Sequence, residues 1–163
     1  MKKKKICLIV LGRGGHTAQI LRLVDRLGNK YAYEYVVGKE DQVSEKQIKY
    51  KGKVHRMLNP RLMKHKSLII VFLRMIPAGF DVFKILLKTK ANVVLSAGPS
   101  MTIPFFYLAK LFGKKLIFVE SWVRIHHKSL TGRFVYPISD LFFVQWASMK
   151  KIYKKAVFAG RLG

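Results

Sequence analysis

The stretch Ile6-Cys7-Leu8-Ile9-Val10-Leu11-Gly12-Arg13-Gly14-Gly15-His16-Thr17 decides how this chain is read. The apolar run Ile6 to Leu11 has the length and composition of a buried β-strand. Gly12, Gly14 and Gly15 then let the backbone turn tightly and approach a ligand without side-chain obstruction. A helix is expected to open at about Thr17. The first N–H groups of a helix have no partner within it and carry a partial positive charge, which favours a phosphate or diphosphate there. A plain strand-to-helix turn, with no ligand, fits the loop equally well.

Two common phosphate loops do not match. A dinucleotide fingerprint would place glycine where Thr17 stands and an acid at the end of the second strand. Here the second strand, about Tyr33 to Val37, runs into Gly38-Lys39, with Glu34 inside it. A P-loop would end in Gly-Lys-Ser/Thr, and the chain has no such triplet. What remains is Gly-x-Gly-Gly-His, with an imidazole at the phosphate site.

Outward from this loop, apolar β-branched runs alternate with helical periodicity. Further strands are expected at about Val54 to Met57, Val93 to Ala97, Leu116 to Glu120 and Leu141 to Gln145. Helices are expected at about Thr17 to Leu27, Leu68 to Lys88, Thr102 to Leu111 and Ser148 to Tyr153, with a short one near Leu130 to Pro137. That alternation implies an α/β fold with a mainly parallel sheet and helices on both faces. At 163 residues it is one domain, residues 1–163. The polar stretch Gly38 to Gly52 reads as a mobile surface loop. Cys7 reads as a small core residue, and one cysteine gives no disulfide framework.

In such a sheet ligands bind beyond the carboxyl ends of the strands. Three loops converge there: the glycine loop with His16, the turn Ser96-Ala97-Gly98-Pro99-Ser100, and Glu120-Ser121-Trp122-Val123-Arg124. In the second, Ser100 or Thr102 is a candidate helix cap. Glu120 is one of only eight acids and closes an apolar strand beside the ligand edge. It is placed to bind a sugar hydroxyl, to orient His16, or to pair with Arg124. Adjacent His126 and His127 point in different directions and have no evident third ligand, so no metal is expected.

Charge sets the class of partner. With 32 Lys and Arg against 8 Asp and Glu the net charge is +24, which calls for anions: nucleic acid, acidic lipid or phosphorylated substrate. Basic clusters fall at Lys2 to Lys5, at Lys46, Lys49, Lys51 and Lys53, at Arg56, Arg61, Lys64 and Lys66, and at Lys150, Lys151, Lys154 and Lys155. None forms a recognition-helix, zinc-finger or RNA-binding pattern, so no nucleic acid is expected. The second and third flank the most hydrophobic stretch, Ser67 to Leu87, which reads as attachment to an anionic membrane surface. Arg74, Asp81 and Lys84 interrupt that stretch, which excludes a membrane span. On a helical wheel Arg74, Asp81, Lys84 and Lys88 share one stripe, opposite Phe72, Met75, Ile76, Phe83, Leu86 and Leu87. This is an amphipathic helix, whether its apolar side meets the core or a membrane.

Several blocks in order carry a family resemblance: Gly12-x-Gly14-Gly15-His16-Thr17, Asn59-Pro60-Arg61, Ser96 to Ser100, Glu120 to Arg124, Ser129-Leu130-Thr131-Gly132-Arg133, Tyr136 to Phe142, Val144-Gln145-Trp146 and Gly160-Arg161-Leu162. Together they resemble the acceptor-side subunit of the two-part UDP-N-acetylglucosamine transferase of dolichol-linked oligosaccharide synthesis. They are more similar still to its bacterial exopolysaccharide and capsule relatives, the PssD-like proteins. The resemblance implies a Rossmann-like domain that forms the N-terminal, acceptor half of a GT-B glycosyltransferase related to MurG. It implies a subunit inactive alone, completed by a small donor-binding partner that holds most of the UDP-sugar, with no other cofactor and no metal. His16 and Glu120 would be catalytic, His16 as general base. Gly12, Gly14, Gly15, Thr17, Gly98, Pro99, Ser100, Ser121 and Arg124 would line the site for a polyprenyl-diphosphate-linked sugar. Arg13 replaces a small residue in the loop, as an added anion contact or a solvent-facing charge. Eukaryotic members carry an N-terminal anchor. This chain opens on lysines and a strand, so peripheral attachment to the cytoplasmic leaflet is expected to rest on basic and apolar surfaces alone. A non-catalytic scaffold that recruits and enhances the partner is the alternative, and a basic nucleic-acid-binding protein a more distant one.

Overall fold

The computed structural model describes residues 4–60 and 68–163; readings that fall on Lys2, Lys3, Arg61, Lys64, Lys66 and Ser67 lie outside them. Seven strands form one sheet in the order β3-β2-β1-β4-β5-β6-β7. They are β1 (Ile6–Val10), β2 (Ala32–Gly38), β3 (Lys53–Met57), β4 (Val93–Ser96), β5 (Lys115–Val119), β6 (Leu141–Val144) and β7 (Val157–Phe158), and every pairing is parallel. Helices α1 (Gly15–Leu27), α2 (Leu68–Lys88), α3 (Thr102–Leu111) and α4 (Leu130–Val135) supply the crossovers. The expected fold class is the observed one. The stretch expected as a helix from Ser148 is a tight 3-10 turn, Ala147–Lys151. It closes through Met149 N–H to the Trp146 carbonyl and Ile152 N–H to the Met149 carbonyl. The two-residue β7 is too short and too exposed to leave a hydrophobic pattern.

Alternation along the strands divides the core in two. Leu8, Val10, Val36, Val94, Leu116 and Phe118 face α2 and α3, packing on Val82, Ile85, Phe105 and Phe106. Cys7, Ile9, Leu11, Tyr35, Val37 and Leu95 face α1, packing on Ile20, Leu21 and Val24. Each fully buried side chain of this size contributes about 1.5–3 kcal/mol. Burial pushes the Cys7 thiol above its ordinary pKa, which keeps it inert.

The second core is covered beside β2 and β3 by the segment 39–52 rather than by a helix. Ile48 and Tyr50 pack against it, and Tyr35 Oη donates to the Tyr50 carbonyl at 2.8 Å. This segment, expected as a mobile loop, is therefore built into the fold. Asp41 Oδ1 accepts the backbone N–H of Val43 (3.1 Å) and Ser44 (3.0 Å) and so opens a short 3-10 turn, Ser44–Gln47.

α2 departs from the two-sided helical wheel, because it has three faces. Val71, Ala78, Val82, Ile85 and Leu86 meet the core, and Met75 packs at its margin. Arg74 and Asp81 turn inward as well, to the ends of β2 and β3. The third face is apolar and exposed: Ile69, Leu73, Ile76, Phe80, Phe83 and Leu87 recur every three or four residues with 46–73% of their surface free. Among the described residues no helix is long and apolar enough to cross a membrane.

Candidate functional site

The order of the sheet reverses between β1 and β4, and a parallel sheet opens a ligand crevice at such a point. The loops that follow these two strands are the glycine loop and the Gly98 turn, far apart in sequence and in contact here. Gly14 stands at φ +57° as the residue capping α1, a conformation that only glycine adopts readily. Arg13, Gly14 and Gly15 are exposed. A shallow depression beside them is lined by Arg13, Gly14, Glu40, Asp41 and Gln42.

His16, in the first turn of α1, lays its imidazole against Gly98. Gly98 has φ +92°, and a Cβ there would stand 2.5 Å from His16 Nδ1 and Cε1. Both the backbone conformation and the close approach thus require glycine. His16 also makes a hydrogen bond with the Ala97 backbone. Burial holds the His16 pKa below its ordinary value; the Ala97 bond and the charge of Glu120 oppose that shift, and Arg124 adds to it. The ring is therefore neutral at pH 7 and able to accept a proton.

Behind the loop lies a buried polar network. Thr17 Oγ1 donates to the Gly12 carbonyl at 2.7 Å. Ser44 Oγ donates to Asp41 Oδ2 at 2.6 Å and lies 2.9 Å from Thr17 Oγ1 and 3.0 Å from the Gly12 carbonyl. Burial pushes the Asp41 pKa up, but the Ser44 hydroxyl, the N–H groups of Ser44 and Val43, and the charge of Arg13 outweigh it and hold the carboxyl below its ordinary range. Thr17 is fully buried, so it shapes the loop from behind and does not stand on the open side where the sequence expectation put it.

The Gly98 turn is tied down in the same way. Pro99 packs on Gly12, where a Cβ would come within 2.9 Å of it. Ser96 Oγ donates to the Val10 carbonyl (3.1 Å) and lies 2.7 Å from Thr102 Oγ1. Neither Ser100 nor Thr102 caps α3 with its side chain: the first N–H groups go to the Pro99 and Ser100 carbonyls. Ser100 Oγ instead donates to Asn59 Oδ1 at 3.4 Å, bridging to the end of β3.

Glu120 requires a correction. Its side chain is fully buried, and its carboxylate meets neither His16 nor Arg124 by hydrogen bond or ion pair. Oε1 accepts Ser121 N–H at 2.8 Å; Oε2 accepts Ser129 N–H (3.3 Å), Ser129 Oγ (3.1 Å) and Tyr153 Oη (2.8 Å). Four donors occupy the carboxylate, and Glu120 bears on His16 as a nearby charge and not through a hydrogen bond. Its backbone carbonyl is a second hub, taking Gln19 Nε2 and Gln145 Nε2, each at 3.0 Å. Ser121 is buried, and Arg124 is exposed on a turn closed by its own N–H to the Ser121 carbonyl.

Gln19, Asp41, Ser44 and Tyr153 were not singled out from sequence, and Ser129 and Gln145 entered only as members of the blocks that carry the resemblance, with no role given to them. Of the first four, Gln19 left a signal, a polar residue on the buried face of α1, adjacent to Ile20 and three residues after His16. The block Gly160-Arg161-Leu162 docks back over this edge. Leu162 N–H donates to Gln145 Oε1 (2.9 Å), and the Arg161 guanidinium stacks 4.0 Å from the Trp146 ring centre. His126 and His127 are exposed, and no group of three His, Cys, Asp or Glu among the described residues is placed to hold a metal.

Among solved structures, Acinetobacter baumannii MurG matches with a TM-score of 0.70 at 11% identity, over 98% of this chain and 44% of MurG. The UDP-GlcNAc 2-epimerase of Neisseria meningitidis matches with a TM-score of 0.70 at 14% identity, over 96% of this chain and 47% of that one. The chain thus has the fold of slightly less than half of each protein. Among curated sequences, the UDP-N-acetylglucosamine transferase subunit ALG14 of Mus musculus is 36% identical over 95% of this chain and 82% of its own length. The subunit of the same name from Kluyveromyces lactis is 30% identical, over 98% of this chain and 79% of its own length. The family described as oligosaccharide biosynthesis protein Alg14 like matches residues 7–162, and the chain belongs to that family.

Proposed function

We propose that this chain is the acceptor-binding subunit of a two-component UDP-N-acetylglucosamine transferase acting on a sugar carried by a polyprenyl diphosphate. Dolichol-linked acceptors and those of bacterial exopolysaccharide or capsule synthesis present the same diphosphate, so the reading covers both. The observation that carries it is the His16 imidazole, held on Gly98 at the switch point beside the open Gly14-Gly15 turn. The turn and the start of α1, with the exposed charges of Arg13 and Arg124, suit the acceptor's diphosphate. The acceptor hydroxyl attacks the anomeric carbon of the UDP-sugar, the bond from that carbon to UDP breaks, and His16 takes the hydroxyl proton. Glu120, from its buried shell, favours the charged imidazolium that results. UDP leaves from the partner, a small donor-binding subunit that supplies the other half of the cleft.

The outer face of α2 suits peripheral attachment to the anionic cytoplasmic leaflet. Its exposed apolar stripe is bordered by exposed Lys84 and Lys88. Burial of Glu120 and Thr17 favours a second reading, in which the subunit recruits and enhances the transferase without supplying a catalytic group. The test is transfer from UDP-N-acetylglucosamine to a diphospholipid-linked sugar by the complex, using the partner captured with this chain from detergent-solubilised membranes. His16→Ala is expected to abolish turnover with the complex intact. Unchanged turnover in that variant would leave the scaffold reading, and a complex with no transfer activity would refute the transferase assignment.

A further inference from the structure

The inward polar side of α2 reaches the carboxyl edge of the sheet at two points, two helical turns apart. Asp81 Oδ2 accepts Leu58 N–H at 2.9 Å and pairs with Lys39 at 2.8 Å, a closed ion pair. Arg74 differs. Its Nη2 donates to the Asn59 carbonyl at 3.2 Å, and its only carboxylate neighbour among the described residues, Glu40, stands 3.7 Å away, beyond hydrogen-bond reach. Both side chains of this pair are partly exposed, at 26% and 35%. Arg74 Nε has no hydrogen-bond partner among the described residues.

Position makes this loose pairing informative. Asn59 Oδ1 accepts from Ser100 Oγ, so the guanidinium joins the end of β3 to the turn that carries Gly98 against His16. Glu40, which follows β2, also lines the depression beside Arg13 and Gly14. A half-exposed ion pair at this distance contributes little, so exchanging it is cheap. A guanidinium offers five N–H donors in a planar fork that matches phosphate oxygens and sheds water more readily than an ammonium.

We propose that Arg74 binds the acceptor's diphosphate, exchanging its loose pairing with Glu40 for charge-assisted hydrogen bonds to phosphate oxygen. The proposal rests on the acceptor-binding reading above and adds a ligand from α2, the helix whose other side is the exposed apolar stripe. Glu40 then has the opposite sign. It is a competing anion that holds the guanidinium at the rim and weakens the diphosphate's hold on it.

Calorimetric titration of the full chain with farnesyl diphosphate tests this, with farnesol as neutral control and inorganic diphosphate to separate the headgroup from the lipid. Arg74→Gln is expected to weaken farnesyl diphosphate binding by about tenfold or more, and Arg74→Lys to restore part of the loss. Glu40→Gln is expected to tighten binding, which no merely structural bridge would do, and it carries the test should Arg74→Gln fold poorly. Binding of Arg74→Gln equal to the native chain, or weakening in Glu40→Gln, overturns the proposal. Native chain that binds farnesyl diphosphate no better than farnesol overturns the acceptor-binding reading, and this proposal with it.

Discussion

Replacing Glu120 by Gln separates a buried strut from a chemical group. The carboxylate takes a backbone N–H on each oxygen, Ser121 on Oε1 and Ser129 on Oε2, and two hydroxyls besides. Hydroxyls can rotate to accept from an amide NH2, but a backbone N–H cannot. Whichever way the carboxamide is turned, one buried backbone donor faces another donor. An unsatisfied buried N–H costs about 1–3 kcal/mol, and the remaining bonds lose their charge assistance. The smaller desolvation of an amide offsets part of this, leaving about 2–5 kcal/mol. For a domain of this size that is a fall in Tm of about 4–20 °C. Tyr153→Phe, which removes only the 2.8 Å bond, should lose about 1.5–3 kcal/mol and melt between the two. Thermal unfolding of the purified chain by circular dichroism is the assay, with turnover of the complex measured well below every melting point. Glu120→Gln melting within about 2 °C of the native chain refutes the strut. If turnover is lost as well, the carboxylate acts directly in the chemistry.

Further outcomes follow from the same geometry. With its pKa held below the ordinary value of about 6.5, His16 should give a kcat/KM that rises with pH through an acid limb below that value and is flat above it. Arg124→Gln removes the smallest contribution to this depressed pKa, so the limb should move slightly to higher pH; a kcat/KM with no acid limb excludes His16 as the base. The same depressed pKa stabilises the fold above the unfolded-state value, and that contribution is lost as pH falls from there through the folded pKa. Gly98→Ala combines a φ of +92° with a Cβ 2.5 Å from the imidazole and should cost about 2–4 kcal/mol, displacing His16 and its acid limb, as melting and the pH profile would report. Ile76→Glu with Phe80→Glu, at sites 63% and 66% exposed, should leave Tm unchanged. It should reduce sedimentation with anionic vesicles by more than about tenfold, since two such side chains carry about 3 kcal/mol of apolar transfer. Undiminished vesicle binding would refute α2 as the attachment surface.

Strand–helix alternation made the fold legible, because β1, β2, β4, β5 and β6 are largely apolar runs, and β3, Lys53-Val54-His55-Arg56-Met57, is the exception with three polar residues in five. The position of His16 was legible for the same reason: a glycine loop after β1 can only lie at the carboxyl edge. What His16 touches was not, since Gly98 is brought to it by the strand order β1-β4, which no local pattern encodes. Glu120 illustrates a second limit. Its rarity and its place at a strand end drew attention to it, but those features do not distinguish a catalytic acid from a carboxylate enclosed by Ser121, Ser129 and Tyr153, the last 33 residues away. Asp41 and Ser44 escaped because a polar segment rich in charge looks like surface until Ser44 is seen against Gly12 and Thr17.

The helical wheel of α2 failed for a reason that bears on function. A wheel with one polar and one apolar stripe assigns the polar one to solvent. Here Arg74 and Asp81 face the ends of β2 and β3, the core takes a second strip, and a third, apolar strip is left outside. Such an arrangement wastes apolar surface in water unless another apolar phase covers it. If that phase is the membrane, the distance from the bilayer surface to the inward side chains is one helix diameter, about 10 Å. A diphosphate at headgroup depth can then reach Arg74, and beyond it the Gly98 turn with His16, while its polyprenyl chain stays in the bilayer. The helix would thus set the height of the cleft above the membrane. Lifting the outer face off the bilayer by the Ile76→Glu, Phe80→Glu change should therefore raise KM for a long-chain acceptor in vesicles and leave KM for a short-chain, water-soluble one unaltered. Equal losses for both acceptors would show that α2 does not couple attachment to acceptor reach.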